Sequence, residues 1–280
     1  MQVLNSLDID PDWILTKPDS KSGRGLKVNS NPVMDYAISQ DYKYYTSVKK
    51  VTNVDLLLVV SYGNIIPDQM LDYKFGCLNL HPSFLPRYRG ATPIQRAIMS
   101  GDKKVGVSWI KLTSNLDAGP ILCQAEVLVD YQDKNENYDS VKTKIAKSCS
   151  ALINKHLNKY VNSELKLKEQ SGKITWANRI TKEERVVDLK KTAEQCNNLI
   201  KALDPYPGAR CRFEHEWVTF KKSSFSMIQD INPGEVALEG DSLVVGTSEG
   251  VLLVDVITPQ GKRPMSGKDF LNSRPNAKFS

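Results

Sequence analysis

Apolar residues fall along the chain in short runs, and their spacing predicts the elements. Trp13 to Thr16 reads as a short strand, stopped by Lys17-Pro18-Asp19. Asn31-Pro32 offers a cap followed by proline at the first helical position, which opens a helix through Val33, Met34 and Ala37. Tyr42 to Tyr45 predicts the next strand. Leu56 to Val60 predicts a buried one, because its near-continuous apolar character suits a parallel strand covered on both faces. Cys77-Leu78-Asn79-Leu80-His81 is a further short run, closed by Pro82, which has no N–H for a ladder. Pro93 to Ser100 predicts a helix ended by Gly101. Val105 to Leu112 and Ile121 to Val129 alternate as strands do, on either side of the turn-rich Ser114-Asn115-Leu116-Asp117-Ala118-Gly119-Pro120. From Tyr138 to about Val161 the apolar Val141, Ile145, Leu152, Ile153 and Leu157 recur at helical spacing, with His156 expected in solvent among Lys and Asn.

Polarity rises from Ser163 to Asp188, which predicts a linker. Thr192 to Leu203 is helical in pattern, and Asp204-Pro205-Tyr206-Pro207-Gly208 stops it. Beyond it short strands dominate: Cys211 to Phe213, Trp217 to Lys221, Glu235 to Leu238, Leu243 to Gly246 and Val251 to Ile257, joined by glycine-containing turns. Such regular spacing predicts a small antiparallel barrel. The fold class expected is therefore α/β, a doubly wound domain at 1–165, a linker at 166–190 and a β-barrel domain at 191–280.

Composition narrows this picture only a little. The chain has 280 residues, 40% hydrophobic and 25% charged, as globular domains have. No apolar run approaches the length of a membrane-spanning helix, so no membrane partner is expected. A net charge of +6 permits an anionic partner such as RNA without demanding one. The cysteines (Cys77, Cys123, Cys149, Cys196 and Cys211) are scattered and odd in number, which argues against a disulfide framework. Without a C-x-x-C pair and with His81, His156 and His215 far apart in sequence, no metal site is expected. Met1 to Asp10 carries acids and no basic residue, unlike a leader or transit peptide.

The candidate chemistry sits around His81. Side chains alternate along a strand, so Asn79 and His81 share one face, an amide beside an imidazole near the strand's carboxyl end, where open α/β sheets keep their ligands. Asp117 brings a carboxylate on a later turn. Singly, each is as readily a satisfied polar group at a strand end or turn. Ser20-Lys21-Ser22-Gly23-Arg24-Gly25-Leu26-Lys27 is a flexible, basic, glycine-rich loop in prospect. Gly261 to Lys268 is no phosphate-binding loop, because five residues separate Gly261 from Gly267 and Asp269 stands where a hydroxyl is needed. It reads as a basic turn in which Lys262, Arg263 and Lys268 could meet RNA phosphates or simply face solvent.

Asn79-Leu80-His81, then Ser83-Phe84-Leu85-Pro86-Arg87-Tyr88-Arg89-Gly90-Ala91-Thr92-Pro93-Ile94-Gln95, then Leu116-Asp117-Ala118-Gly119, resembles the signature of the 10-formyltetrahydrofolate-dependent formyltransferases, and most of all their methionyl-tRNA branch. Trp176-Ala177-Asn178-Arg179-Ile180 is similar to the family's interdomain segment, and Met265 to Arg274 to its C-terminal end. The resemblance implies a Rossmann-like catalytic domain followed by an OB-like barrel that contacts tRNA. It implies formyl transfer from 10-formyltetrahydrofolate to the methionine of initiator Met-tRNA, with Asn79, His81 and Asp117 catalytic, Ser83, Phe84, Leu85 and Pro86 at the folate, and neither metal nor covalent nucleophile. Arg24 falls at the family's tRNA-gripping arginine, flanked by Lys21 and Lys27. Phe84 stands where leucine is usual and Tyr88 where tryptophan is common. Family members open with a strand, a glycine turn and a helix ahead of the segment matching Trp13; only Met1 to Asp12 stands there, so that unit is expected to be missing. A monomer is expected, in the mitochondrial matrix or alternatively the bacterial cytoplasm. The other readings are a formyltransferase acting on a small amine and an inactive RNA-binding relative.

Overall fold

The computed structural model describes residues 2–22, 27–228, 231–274 and 278–279. In chain order its elements are α1 (Gln2–Asn5), β1 (Ile14–Leu15), β2 (Ser20–Ser22), β3 (Lys27–Asn29), α2 (Pro32–Ser39), β4 (Tyr44–Tyr45), β5 (Leu57–Val60) and β6 (Cys77–His81). There follow β7 (Arg89–Gly90), α3 (Pro93–Met99), β8 (Lys104–Lys111), β9 (Ile121–Leu128), α4 (Tyr138–Val161) and β10 (Trp176–Ala177). The rest are α5 (Ala193–Leu203), β11 (Ala209–Phe213), β12 (Glu216–Ser226), β13 (Val236–Glu239), β14 (Ser242–Gly246), β15 (Val251–Pro259), β16 (Met265–Ser266) and α6 (Gly267–Asn272). Two compact units share this chain. One takes Met1–His81, Trp109–Cys123 and Cys149–Gln170, and the other takes Pro82–Ser108, Gln124–Ser148 and Ser171–Ser280.

In the first unit β5 and β6 pair in parallel, Leu57 opposite Cys77 and Val60 opposite Leu80. They belong to a sheet of order β5-β6-β8-β9, whose last two strands run through both units. Leu112 N–H donates to Cys77 O at 2.7 Å, and Lys111 N–H to Pro120 O at 3.0 Å, which closes the β8–β9 hairpin over the Asp117 turn. β1 and β4 form a separate two-stranded parallel sheet. One core nevertheless serves both: Trp13, Leu57, Val59, Met70 and Cys77 are buried together, with Leu15 and Tyr45 packed against them. The predicted cap of α2 is present, Asn31 Oδ1 accepting from Val33 N–H at 2.9 Å.

The stretch expected to be a flexible basic loop is in part a hairpin. β2 and β3 pair antiparallel, Ser20 opposite Asn29 and Ser22 opposite Lys27, because the ladder satisfies backbone groups that a loose loop leaves to water. Asn31 ties the base of this hairpin. Its amide donates to Thr16 Oγ1 at 2.8 Å and to the Lys17 carbonyl, while its own N–H donates to Asp19 Oδ1 at 2.9 Å. Residues 23–26, with Arg24 among them, lie outside the described residues. The expectation for His156 also needs correction. It is half-buried, its Nδ1 is enclosed without a hydrogen-bond partner among the described residues, and burial, with Lys155 and Lys159 adding, holds its pKa below the ordinary value. The helical stripe that buries Leu152, Ile153 and Leu157 turns one side of His156 inward with them.

The second unit centres on an antiparallel sheet of order β11-β12-β15-β14-β13, with β16 paired to β15. Residues of these strands, among them the alternating pairs Cys211 and Phe213, Val218 and Phe220, and Leu252 and Val254, together with Ile257, meet Ile200 and Leu203 of α5 and Phe270 of α6 in one core. α5 starts at a reciprocal cap between Thr192 and Gln195. It buries Lys201, whose ammonium donates to Asp133 O at 2.6 Å and Glu136 O at 3.0 Å; burial lowers its pKa. The segment read as a linker carries structure of its own within this unit. β10 pairs in parallel with β7, Trp176 opposite Arg89, and Glu184 receives Arg96 through two oxygens at 2.5 and 3.1 Å.

Candidate active site

His81 is the last residue of β6, where Pro82 ends the ladder, and only 4% of it is exposed. Asn79, two residues earlier, projects from the same face and is half-buried. Asp117 arrives on the turn between β8 and β9 with φ of +50°, a left-handed conformation uncommon outside glycine that aspartate tolerates better than most residues. That conformation swings its carboxylate to His81, with Oδ1 3.5 Å from Nδ1; the side chains are 5% and 10% exposed. The distance is longer than that of a well-formed hydrogen bond, and catalytic contacts commonly tighten only once substrate is bound. Amide, imidazole and carboxylate, predicted from sequence as one constellation, thus stand together in the first unit.

Two features hold Asp117 in place, and sequence reasoning missed the second. Gly119 packs so closely on β8 that a Cβ there would lie 1.7 Å from Lys111 O. Gln170, from the segment after α4, donates through Nε2 to Asp117 O and Gly119 O, both at 2.8 Å. Gly119 was legible as part of a motif, whereas a glutamine in a polar stretch carries no signal of its own.

Directly after His81 in the chain, the turn Ser83–Pro86 belongs to the second unit. Three of its four residues are buried, and Phe84 is 40% exposed. The turn is fixed by partners in the strands behind it. Ser108 Oγ donates to Ser83 O at 2.7 Å and accepts from Leu85 N–H at 3.0 Å, while Gln124 Nε2 donates to Leu85 O at 3.0 Å. Ser83 Oγ donates to Arg87 O at 2.7 Å. Ser108 and Gln124 were also missed, although a serine inside the apolar run of β8 is a signal of a buried polar task. The Phe84 ring lies over Gly106, where a Cβ would come within 2.6 Å of it.

The basic residues are spread more widely. Lys21 and Lys27 lie on the backbone of β2 and β3. Lys262 and Arg263 are exposed, and Lys268 is exposed with its ammonium 3.6 Å from Asp241. Thiols offer no nucleophile on β6, since burial pushes the Cys77 thiol up to about 12. What the first unit assembles is a donor amide, an imidazole with two ring nitrogens and a carboxylate that engages one of them. Such a set can stabilise negative charge on an oxygen and carry a proton between two nitrogens.

Comparison with known proteins matches residues 5–154 to the family described as formyl transferase, and residues 179–275 to formyl transferase, C-terminal domain. A protein of Pseudothermotoga lettingae named methionyl-tRNA formyltransferase is 35% identical over 268 residues, covering 93% of this chain and 87% of the relative. An N-formyltransferase from Helicobacter canadensis, solved in complex with folinic acid and dTDP-3-aminofucose, superposes with a TM-score of 0.68 at 15% identity over 90% of this chain and 93% of that one. Methionyl-tRNA formyltransferase from Clostridium thermocellum gives 0.52 at 17% identity over 86% of this chain and 97% of that one. At such identities the two structures speak for the fold alone.

Proposed function

The chain belongs to the formyltransferase family, in its methionyl-tRNA branch, and we propose that it moves a formyl group from 10-formyltetrahydrofolate to the α-amino group of methionine on initiator Met-tRNA. The observation that carries the catalytic assignment is the buried His81–Asp117 pair at 3.5 Å, on the strand face that also bears Asn79. In the reaction a bond forms between the amine nitrogen and the formyl carbon, the bond from that carbon to N10 breaks, and the proton given up by the amine is returned to N10. When bound, the folate supplies an activated formyl carbon on a nitrogen able to leave. Asn79 donates its amide N–H to the oxygen on which negative charge builds, a role whose loss typically slows a reaction about 10² to 10³-fold. Asp117 engages His81 Nδ1 and so fixes the ring, which assigns Nε2 to the reacting atoms. The pair then takes the amine's proton and passes it on.

The turn at Ser83–Pro86 suits a flat aromatic ring. Phe84 presents an exposed face, while Ser83, Leu85 and Pro86 are buried and keep the turn in shape through Ser108 and Gln124. For tRNA we assign Lys21 of β2, Lys27 of β3 and Arg24, which lies outside the described residues, to the acceptor arm, and Lys262, Arg263 and Lys268 of the C-terminal domain to the phosphates. We take the domain limits as 1–165 and 191–280 with a connecting segment between them. We take the protein to act as a monomer. Of the two compartments expected, the bacterial source of the relatives supports the bacterial cytoplasm. Among the described residues no helix is long and apolar enough to cross a membrane.

The small-amine reading has one point in its favour, the sugar-nucleotide ligand of the Helicobacter canadensis structure. The match of residues 179–275 to the family's C-terminal domain weighs for tRNA. The test offers the purified chain 10-formyltetrahydrofolate with either Met-tRNA or a dTDP-amino sugar. Formylation of Met-tRNA supports the proposal; formylation of the amino sugar alone overturns it.

A further inference from the structure

The turn that carries Asp117 is held by a side chain from a distant segment. Gln170 Nε2 donates to the carbonyls of Asp117 and Gly119, both at 2.8 Å, so the two hydrogens of one NH₂ group bracket Ala118. Gln170 is delivered by a segment that has joined the hairpin. Lys168 and Ile121, the first residue of β9, exchange backbone hydrogen bonds of 2.7 and 2.8 Å, and Gln170 lies two residues further on. The grip falls on a residue that needs one, since Asp117 sits at φ of +50° and a shift of that backbone would carry the carboxylate away from His81 Nδ1, now at 3.5 Å.

We infer that Gln170 is a positioning residue for formyl transfer: its amide fixes the peptide of Asp117 so that the carboxylate meets His81. This rests on the role assigned to Asp117 above. Two carbonyls at one point accept only a donor, and of residues this size only glutamine brings two uncharged N–H groups on one atom. Methionine fills the same space with no donor, and glutamate turns a carboxylate toward two carbonyl oxygens. Gln170 is half-buried and outside the apolar core, so its removal bears on the geometry of the turn more than on the stability of the chain.

The test uses the full chain in single-turnover formylation of Met-tRNA. Gln170→Met and Gln170→Glu should each slow the chemical step about 10 to 100-fold, the penalty typical of a misplaced catalytic group, with KM for Met-tRNA unchanged and the melting temperature lowered by no more than the few degrees that two lost hydrogen bonds cost. The deciding readout is a double-mutant cycle. In an Asp117→Asn background Gln170→Met should cause no further loss, because the group it positions is already gone. Penalties that multiply, or a wild-type rate for both Gln170 variants beside a slow Asp117→Asn, overturn the inference alone. A wild-type rate for Asp117→Asn overturns the reading of Asp117 and this inference with it.

Discussion

Replacing Gly119 with alanine should disable the enzyme through one methyl group. An ideal Cβ at this position lies 1.7 Å from Lys111 O and 2.9 Å from its carbonyl carbon. Carbon and oxygen rarely approach closer than about 3.3 Å, so the turn must open by about 1.5 Å or more. Lys111 cannot simply retreat, because its N–H is bonded to Pro120 O at 3.0 Å on the same turn, and the Gly119 carbonyl is held by Gln170 at 2.8 Å. The displacement therefore passes to Asp117, two residues away, whose carboxylate must stay near His81 Nδ1. A misplacement of about 1 Å commonly costs about 10²-fold in rate, which sets the least expected loss for Gly119→Ala. Losing the Lys111–Pro120 and Gln170–Gly119 hydrogen bonds should add about 2 kcal/mol of destabilisation, at about 1 kcal/mol each. Single-turnover formylation reads the first effect and urea denaturation the second. Wild-type values in both would refute the close packing of the turn on β8 and the link from that packing to the chemistry.

Asn79→Asp should be slower than Asn79→Ala, since a carboxylate repels the developing oxyanion where a methyl merely fails to help; the reverse order in single-turnover rates would make residue 79 structural. Arg24→Ala should weaken Met-tRNA binding about 10 to 100-fold and flatten its salt dependence while folate affinity stays the same, and an unchanged salt slope would remove the hairpin from the tRNA site. Burial pushes the thiols of Cys77, Cys123, Cys196 and Cys211 up to about 12 from an ordinary 9.0. Each binds its proton more tightly folded than unfolded, so its contribution to stability is complete below about pH 9 and is lost as pH rises toward about 12. Urea midpoints should fall across that range in wild type and fall less in Cys→Ala variants. Equal slopes would contradict the burial of those thiols.

Much of this was legible because the relevant physics is local. Pro82 after β6, the Asn31–Pro32 opening of α2 and the extents of α5, β8 and β9 depend on residues a few positions apart, and each lies close to where the pattern predicts, although β8 is buried on both faces from Val105 to Ile110 rather than on alternate ones. The neighbourhood of Asn79 and His81 follows from strand geometry alone. What could not be read was set by partners distant in sequence. Gln170 gains its meaning only from carbonyls about fifty positions earlier, and Ser108 and Gln124 theirs from a turn on another stretch of chain. The two ends of the basic loop, residues 20–22 and 27, were misjudged as loose because glycine and serine content reports backbone freedom, whereas the β2–β3 ladder and the Asn31 clamp at its base depend on pairing that composition does not encode. His156 was misjudged because polar sequence neighbours hid the apolar side of its helix.

The central claim, that the His81–Asp117 pair performs the transfer rather than holding the strand end together, is tested most directly by His81→Ala in single-turnover formylation with saturating Met-tRNA and 10-formyltetrahydrofolate, beside equilibrium binding of both. An imidazole that acts on charge and protons in the transition state predicts a chemical step slowed about 10² to 10⁴-fold, with both dissociation constants and the melting temperature near those of the wild type. A His81→Ala protein that formylates Met-tRNA at the wild-type rate, or that loses rate only in proportion to lost binding, would contradict it.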